Sequence, residues 1–579
     1  MKNWSGAGLR AGSEPIGIGP AAVVAFLIGL TYAVALLGPG FAFGATDYWY
    51  LPRAESGGVI DIRVLMSGYY WFAQDSWRWP LFHIAQANGA AGANAVLTDP
   101  VPILAAIAKL FNWAGGVPFN PYPLWTITSF ALNATAFALL VRGMGQRSLL
   151  GAIVAGALGA AAPVVHFRFG HLSLMAHWIF ILALAIYAST VPDRRAGARA
   201  ALAMIALCVL AASTNLYIYV MTAGIAAAFA LRAWTREQMS TAAAAAFTLG
   251  ILGSGIVTTW GFGLLAHGEI SGVTIPFGDD SMNLMAPWWP QTSGLFGWTG
   301  LYLLTRGSIG ATKGQYEGYC YLGAGVLLLI GIALVVHARA LPSLVRRHWP
   351  LAAALLVLTL WAVSNRIYLG LTLIVSYPLP DALLNTVLAW FRAEGRLFWP
   401  VAWTIAALGV AGTFSVARNR TALILAVVVL TLQWIDLSIW RDRIRTDVNA
   451  VPQSMFGTLT EARALEAEIK SRGRVAAFPS IMCNPVRGDY GAPDTIASVE
   501  LQLMAARANA AMPSILLARN DTDCDGERMM PLANQAGSGL LVLFAASAPP
   551  ERIQEAHDTL DCRPNPVGLV CTNRAAVAR

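Results

Sequence analysis

Apolar residues gather along this chain in long blocks rather than in a short helical or strand period. A bilayer core of about 30 Å takes roughly 20 mostly apolar residues per helix, so runs of that length, bounded by charges or Gly/Pro clusters, predict membrane spans. Eleven such runs occur, at 19–41, 119–141, 148–166, 172–191, 200–216, 218–235, 241–265, 319–337, 349–365, 397–417 and 421–440. A twelfth apolar stretch, 100–113, is too short to cross and contains Lys109, so it predicts an interfacial or re-entrant helix. The boundary between the fifth and sixth runs, near Asn215–Tyr219, is the least sharply marked.

Composition agrees with this reading. Charged residues make up 12% of the 579 positions, about half the ~25% of soluble domains, beside 56% hydrophobic residues. Disorder is excluded by the apolar content, and a collagen-like or coiled-coil chain by the lack of a short repeat. The formal net charge of +8 does not indicate nucleic acid, because no basic stripe with interleaved aromatics is present.

The basic residues instead set an orientation. With the N-terminus (1–18) inside, the inner segments hold Lys2, Arg10, Arg142, Arg147, Arg194, Arg195, Arg199, Arg232, Arg236, Arg339, Arg346, Arg347, Arg418 and Arg420. They hold only three acids, Glu14, Asp193 and Glu237. The long loops 42–118, 266–318 and 366–396 then fall outside, with the tail. No small-residue cleavage site follows the first run, which therefore reads as a retained signal anchor. The expected fold is mainly α: a polytopic bundle over 19–446 with a small extracytoplasmic α/β domain at 447–579. For a bacterium this means the inner membrane, with the tail in the periplasm.

The tail opens with Thr458-Leu-Thr-Glu461, which predicts a capping box and a helix to about Ser471. Strands are expected at Arg474–Phe478, Ser514–Ala518, Leu540–Ala545 and Gly568–Thr572, and a second helix at Pro549–Leu560. Four cysteines in an outside domain predict disulfides, with Cys562–Cys571 and Cys483–Cys524 the favoured pairing of three. Zinc is disfavoured, because His557 is the tail's only histidine and no Cys-x-x-Cys occurs. Asp521-Thr-Asp523-Cys-Asp525-Gly526 begins like a calcium loop but carries Leu532 where a bidentate Glu belongs, so an acidic turn tied by a disulfide is the better reading.

Candidate chemistry gathers at the outer face. The first outer loop carries Asp47, Asp61, Asp75 and Asp99, of which Asp61 and Asp99 adjoin apolar segments; Asp99 also suits a helix N-cap. Between the third and fourth runs lie His166, His171 and His177, the last expected about two turns inside a span, as a functional group or as a hydrogen-bonded core histidine. His171 and His177, six residues apart, cannot grip one metal from a single helix. Arg392 and Arg396, four apart, would share a helical face and could fork onto a phosphate or snorkel to headgroups. Glu317 stands at the outer end of the eighth run, and Asp279-Asp280 could meet a cation or form a turn. There is no Walker loop, no GxGxxG and no large inner domain, so any donor must already reside in the membrane.

These features together resemble the GT-C membrane glycosyltransferases. More closely, Gly68-Tyr-Tyr-Trp-Phe, Ser76-Trp-Arg-Trp-Pro, Thr98-Asp-Pro-Val-Pro, Gly170-His-Leu-Ser-Leu-Met-Ala-His-Trp, Tyr316-Glu-Gly-Tyr-Cys-Tyr-Leu-Gly and Phe391-Arg-Ala-Glu-Gly-Arg are similar to signatures of a bacterial multi-span membrane family related to GT-C enzymes. The resemblance covers about 20–440 and implies transfer of a sugar from a polyprenyl-phosphate carrier to a glycan or lipid acceptor at the outer face. It implies Asp61, or else Asp47, as the base, with Arg392 and Arg396 at the lipid phosphate. Asp99, His166, His171, His177 and Glu317 would orient the acceptor or the base. No metal ligands are assigned. A divalent cation is left open, because Asp47 and Asp61 lie fourteen apart and not side by side. Membrane lipids are the expected surroundings and no nucleic acid partner is expected. The competing class is a non-enzymatic lipid or glycan flippase or transporter.

Overall fold

A computed structural model of the chain describes residues 15–43, 58–89, 92–112, 118–189, 194–264, 276–298, 310–384, 388–450, 453–486, 491–518 and 522–574. The fold is mainly helical, and nine helices among these residues are long and apolar enough to cross a membrane. They are Ile18–Leu37, Tyr122–Gly143, Leu149–Gly170, Leu172–Ser189, Leu216–Thr235, Thr241–Gly261, Ala324–Arg347, Glu394–Val416 and Asn419–Asp436. The other two runs are also helical but shorter, at Ala196–Ala212 and Trp349–Val363. Their boundaries reflect local chemistry: Asn215 caps the helix that begins at Leu216, which ends the preceding helix at Ala212.

Several of these helices expose apolar side chains outward, among them Leu249, Ile256, Val257, Val335, Leu356, Val357 and Ile424. Water would penalise such faces, whereas hydrocarbon solvates them and leaves each helix to satisfy its own backbone. The first span packs on Tyr122–Gly143 at Gly29, where a Cβ would stand 2.7 Å from the Ala131 Cα. Small residues set such distances where helices meet in lipid.

The loop helix Gly58–Gln74 is buried along most of its length, unlike a helix lying on the membrane. The short helix Pro102–Phe111 is the more membrane-like element, exposing Ile107, Leu110 and Phe111. Its Lys109 Nζ lies 4.1 Å from the Phe72 ring centre and 4.5 Å from that of Trp77.

The tail forms a four-stranded sheet in the order Val475–Phe478, Leu540–Phe544, Gly568–Asn573, Leu560–Asn565. The first pair is parallel and the other two antiparallel. The helix Leu459–Arg472 starts in the expected capping box of Thr458 and Glu461. Both disulfides form as expected, Cys483–Cys524 and Cys562–Cys571. In the acidic turn, Asp523 caps the helix Cys524–Met529 by accepting from the Gly526 amide.

One expectation for the tail fails, and one element goes unforeseen. Ser514–Ala518 is not a strand: Leu516 donates its amide to the Gln502 side chain within the tail, and Ala518 to the Leu97 carbonyl of the first loop, so these groups are used outside any sheet. The fourth strand is instead Leu560–Asn565. The helix Pro493–Arg507, buried over most of its length, was not expected at all.

That helix joins the two parts of the molecule. It lies along the loop helix, where Gln502 Nε2 donates to Ser67 Oγ at 2.7 Å. Arg63 Nη1 donates to the Ile496 carbonyl at 3.2 Å and stands 3.6 Å from Glu500, both side chains 1% exposed. Trp71 Nε1 and Gln74 Nε2 donate to the Ala510 and Ala506 carbonyls.

Candidate active site

Asp61 sits in the first turn of the loop helix, and Gly68 follows two turns later on the same face. At Gly68 the chain 95–99 comes so close that a Cβ would fall 1.8 Å from Thr98 Oγ1, so only glycine fits. Asp99 then takes a left-handed conformation (φ 58°), as does Val101 (φ 50°) beyond Pro100. Asp tolerates that region, but a β-branched residue there is strained by about 1–3 kcal/mol. The kink turns Asp99 toward residue 173. It is the C-cap of the 3-10 turn Ala95–Thr98 and not the N-cap of the next helix, which is Val101.

The stretch facing these acids is irregular. After the helix Pro163–Phe167 come two 3-10 turns, Arg168–Gly170 and Leu172–Met175. Three residues of this stretch reach three carboxylates. Arg168 Nη1 lies 2.7 Å from Glu317 Oε2, and Arg168 Nη2 donates to the Glu317 carbonyl at 2.7 Å. His171 Nε2 lies 3.2 Å from Asp61 Oδ2. Ser173 Oγ donates to Asp99 Oδ2 at 2.7 Å. Asn215, the helix cap noted above, donates to Ser173 Oγ at 3.0 Å and approaches Asp99 Oδ1 at 3.4 Å.

Arg396 completes the cluster. Its Nη2 and Nε donate to Glu317 Oε2 at 2.8 and 3.1 Å, and its guanidinium lies 4.9 Å from the Tyr217 ring centre. Tyr217 Oη in turn accepts the Ala393 amide at 2.8 Å. The loop 276–286 closes this side, with the Gly278 amide donating to Glu394 Oε1 and the Gly395 amide to the Asp280 carbonyl.

The two most informative carboxylates are driven in opposite directions. Burial raises the Asp61 pKa, His171 opposes it, and Glu317 adds to it. Asp61 nevertheless keeps 42% of its side chain accessible, so water tempers the rise. Burial also works to raise Glu317, but Arg168 and Arg396 overcome it and hold that carboxyl well below the usual range. Asp99 is raised by burial against its bond from Ser173. Asp280 is pushed up to about 7 by burial and by the charge of Glu317. The charge of His171 acts on Asp61, Asp99 and Glu317 alike, which makes these groups one electrostatic unit.

Asp61, Asp99, His171, Glu317 and Arg396 are therefore brought together, and Asp47 lies outside the described residues. Arg392 is half-buried beside Tyr217 and Asp280, on both of which its charge acts. It does not share a helical face with Arg396, because 391–393 are non-helical and Glu394–Phe398 is a 3-10 turn. His166 stays away from the cluster, bonded to Tyr32 Oη at 2.6 Å and to the Ala162 carbonyl. His177 packs under the cluster and makes no bond to its carboxylates among the described residues. It precedes the regular helix Trp178–Ser189 rather than sitting two turns inside it, stacks on Trp399 and accepts from Trp403 Nε1 at 2.9 Å. Trp399 lies between His177 and Arg168, so His177 supports the cluster from beneath.

Sequence reasoning passed over Arg168, Ser173, Asn215 and Tyr217. Arg168 carried a usable signal, an arginine at the outer end of a span, against the inward bias of the other basic residues. No three His, Cys, Asp or Glu side chains converge on a metal-holding group among the described residues.

Every residue of this cluster falls within 26–438, the part of the chain that matches the family described as Domain of unknown function (DUF6311). The chain belongs to the DUF6311 family. No curated protein matches it. The DUF6311 match ends before the tail, so Glu500 and Gln502, which brace the Asp61 helix, lie beyond the matched region.

Proposed function

We propose that this DUF6311 chain is a GT-C-type glycosyltransferase that moves a sugar from a polyprenyl-phosphate carrier to a cell-envelope acceptor at the outer face of the bacterial inner membrane. In this reading the shorter helices Ala196–Ala212 and Trp349–Val363 also cross, giving eleven spans with the N-terminus inside. The tail is then periplasmic, in keeping with its two disulfides.

The observation that carries the reading is the single irregular stretch Arg168–Ser173, which pairs with Glu317, Asp61 and Asp99 at once. Such convergence sets an accessible carboxylate of raised pKa beside an arginine-rich wall. Asp61 takes the proton of the acceptor hydroxyl, whose oxygen attacks the anomeric carbon of the donor. The anomeric C–O bond to the lipid phosphate breaks, and its electron pair leaves with the phosphate. Arg168 and Arg396 exceed Glu317 by one positive charge, and Arg392 stands beside them, so the growing negative charge meets cations. His171 holds the Asp61 carboxylate in place, and Asp99 with Ser173 and Asn215 orients the acceptor.

The test is reconstitution with a polyprenyl-phosphate sugar and candidate acceptors, comparing wild type, Asp61→Asn and Arg392→Ala. Transfer lost in the first and weakened in the second is expected. Unchanged transfer in both removes the site assignment, and no transfer from any donor turns the reading toward a transporter.

A further inference from the structure

The outer loop that follows Trp349–Val363 contains a two-stranded hairpin, Arg366–Leu369 paired with Thr372–Ser376. From Ser364 to Pro380 the chain has one charged residue, Arg366. Most of its apolar side chains face outward: Leu369, Leu371, Leu373, Ile374, Val375 and Tyr377 are 41–74% exposed. Both faces take part, since alternate residues of a strand point to opposite sides and Ile374 thus opposes Leu373 and Val375. A protein partner docking on a sheet covers one face; a lipid phase covers both.

The hairpin's surroundings agree. Trp349–Val363 exposes Leu356, Val357 and Leu360 along its flank, and the hairpin continues that apolar surface past the helix end. Its base is held by polar bonds: Asn365 Nδ2 donates to the Tyr377 carbonyl, and Tyr377 Oη to the Ser364 carbonyl. Its tip is held by Asn283, which donates to the Gly370 carbonyl at 2.7 Å and accepts the Gly370 amide at 2.9 Å. Among the described residues the strand Thr372–Ser376 nevertheless pairs only on one side, leaving an edge that hydrocarbon would penalise. Apolar on both faces yet unpaired along one edge, the element belongs at the boundary between headgroups and acyl chains.

We propose that the hairpin Arg366–Ser376 is a membrane-dipping element that rests in the outer leaflet at headgroup–acyl depth, with bilayer lipid as its partner. This assignment does not depend on the transferase reading.

The test uses the full chain in phosphatidylcholine/phosphatidylglycerol nanodiscs with Leu371→Cys or Ile374→Cys carrying a bimane fluorophore. Wild type serves as the blank, because its two free cysteines are buried. Met529→Cys, 78% exposed on the tail, is the aqueous reference, and Val357→Cys, 60% exposed on a span, is the deep reference. The expected result is quenching at 371 and 374 several-fold stronger by a nitroxide near the lipid headgroup than by aqueous iodide, with the opposite order at 529. Behaviour at 371 and 374 like that of 529 overturns the proposal, as does quenching by a mid-bilayer nitroxide like that at 357. Protection from every quencher also overturns it, since it means that protein covers the hairpin.

Discussion

The two walls of the cluster handle carboxylate charge in contrasting ways. Glu317 is clasped by two guanidiniums, nearly sealed from water and fixed as an anion. Asp61 has one imidazole neighbour, keeps access to water and is pushed toward its protonated form. A carboxylate of the first kind shapes a site, and one of the second kind can exchange a proton within it. Their difference lies less in the acids than in what faces them: buried arginines on one side, a half-open histidine on the other.

The strongest way to break the comparison is Arg168→Ala, which takes one of the two guanidiniums from the buried Glu317 and leaves it to Arg396 alone. Loss of about 3–5 kcal/mol is expected, read as a large fall in the unfolding midpoint in detergent, together with loss of sugar transfer. Asp61→Asn attacks the other wall, and here transfer should fall about 10²–10⁴-fold while the unfolding midpoint stays near wild type. Gln502→Ala reaches that wall from behind. Ser67 loses its donor, so a cost of about 1–3 kcal/mol is expected, along with a drop in kcat that Gln502→Asn only partly restores.

The smallest effect is in pH, and the walls should answer with opposite signs. Glu317 has a folded pKa below its ordinary 4.5, so its stabilisation is present above that value and fades as the pH falls toward the folded pKa. Asp61 has a folded pKa above its ordinary 3.8, so its contribution is full below that value and is lost as the pH rises through the folded one. Its ionised, proton-accepting form appears over the same upper window, so transfer should rise with pH there. A pH profile of unfolding for Glu317→Gln without the acid-side loss seen in wild type, and a transfer profile for wild type rising above the ordinary carboxylate range, would sharpen the contrast. A flat transfer profile would argue against Asp61 as the base.

What the sequence revealed depended on how strongly one kind of physics dominated. Spans were legible because a bilayer demands long apolar runs, and nine of the eleven recur as helices of spanning length. The cysteine pairs and the Thr458–Glu461 box were legible because their chemistry is local. The helix Pro493–Arg507 was not, because it buries polar residues such as Asp494, Glu500 and Gln502 beside its apolar ones and shows no apolar face. The arginine pair was misjudged because a spacing of four means one face only in an α-helix, and the chain there makes a 3-10 turn. His166 and His177 had the composition of site residues, but only packing could show that both bond to groups within the bundle, His166 to Tyr32 and His177 to Trp403. Arg168, Ser173 and Asn215 gain meaning from three distant segments meeting, which no local pattern announces.

The bond between Gln502 and Ser67 joins residues 435 apart in sequence. In the proposed topology the Asp61 helix reaches the outer side early in synthesis, while its brace is made after the last span and must itself be exported. The site is thus among the last parts of the molecule to be completed. On the proposed function, a chain arrested before its tail emerges would hold its spans and an unsupported Asp61, and would lie silent in the membrane until the brace arrives.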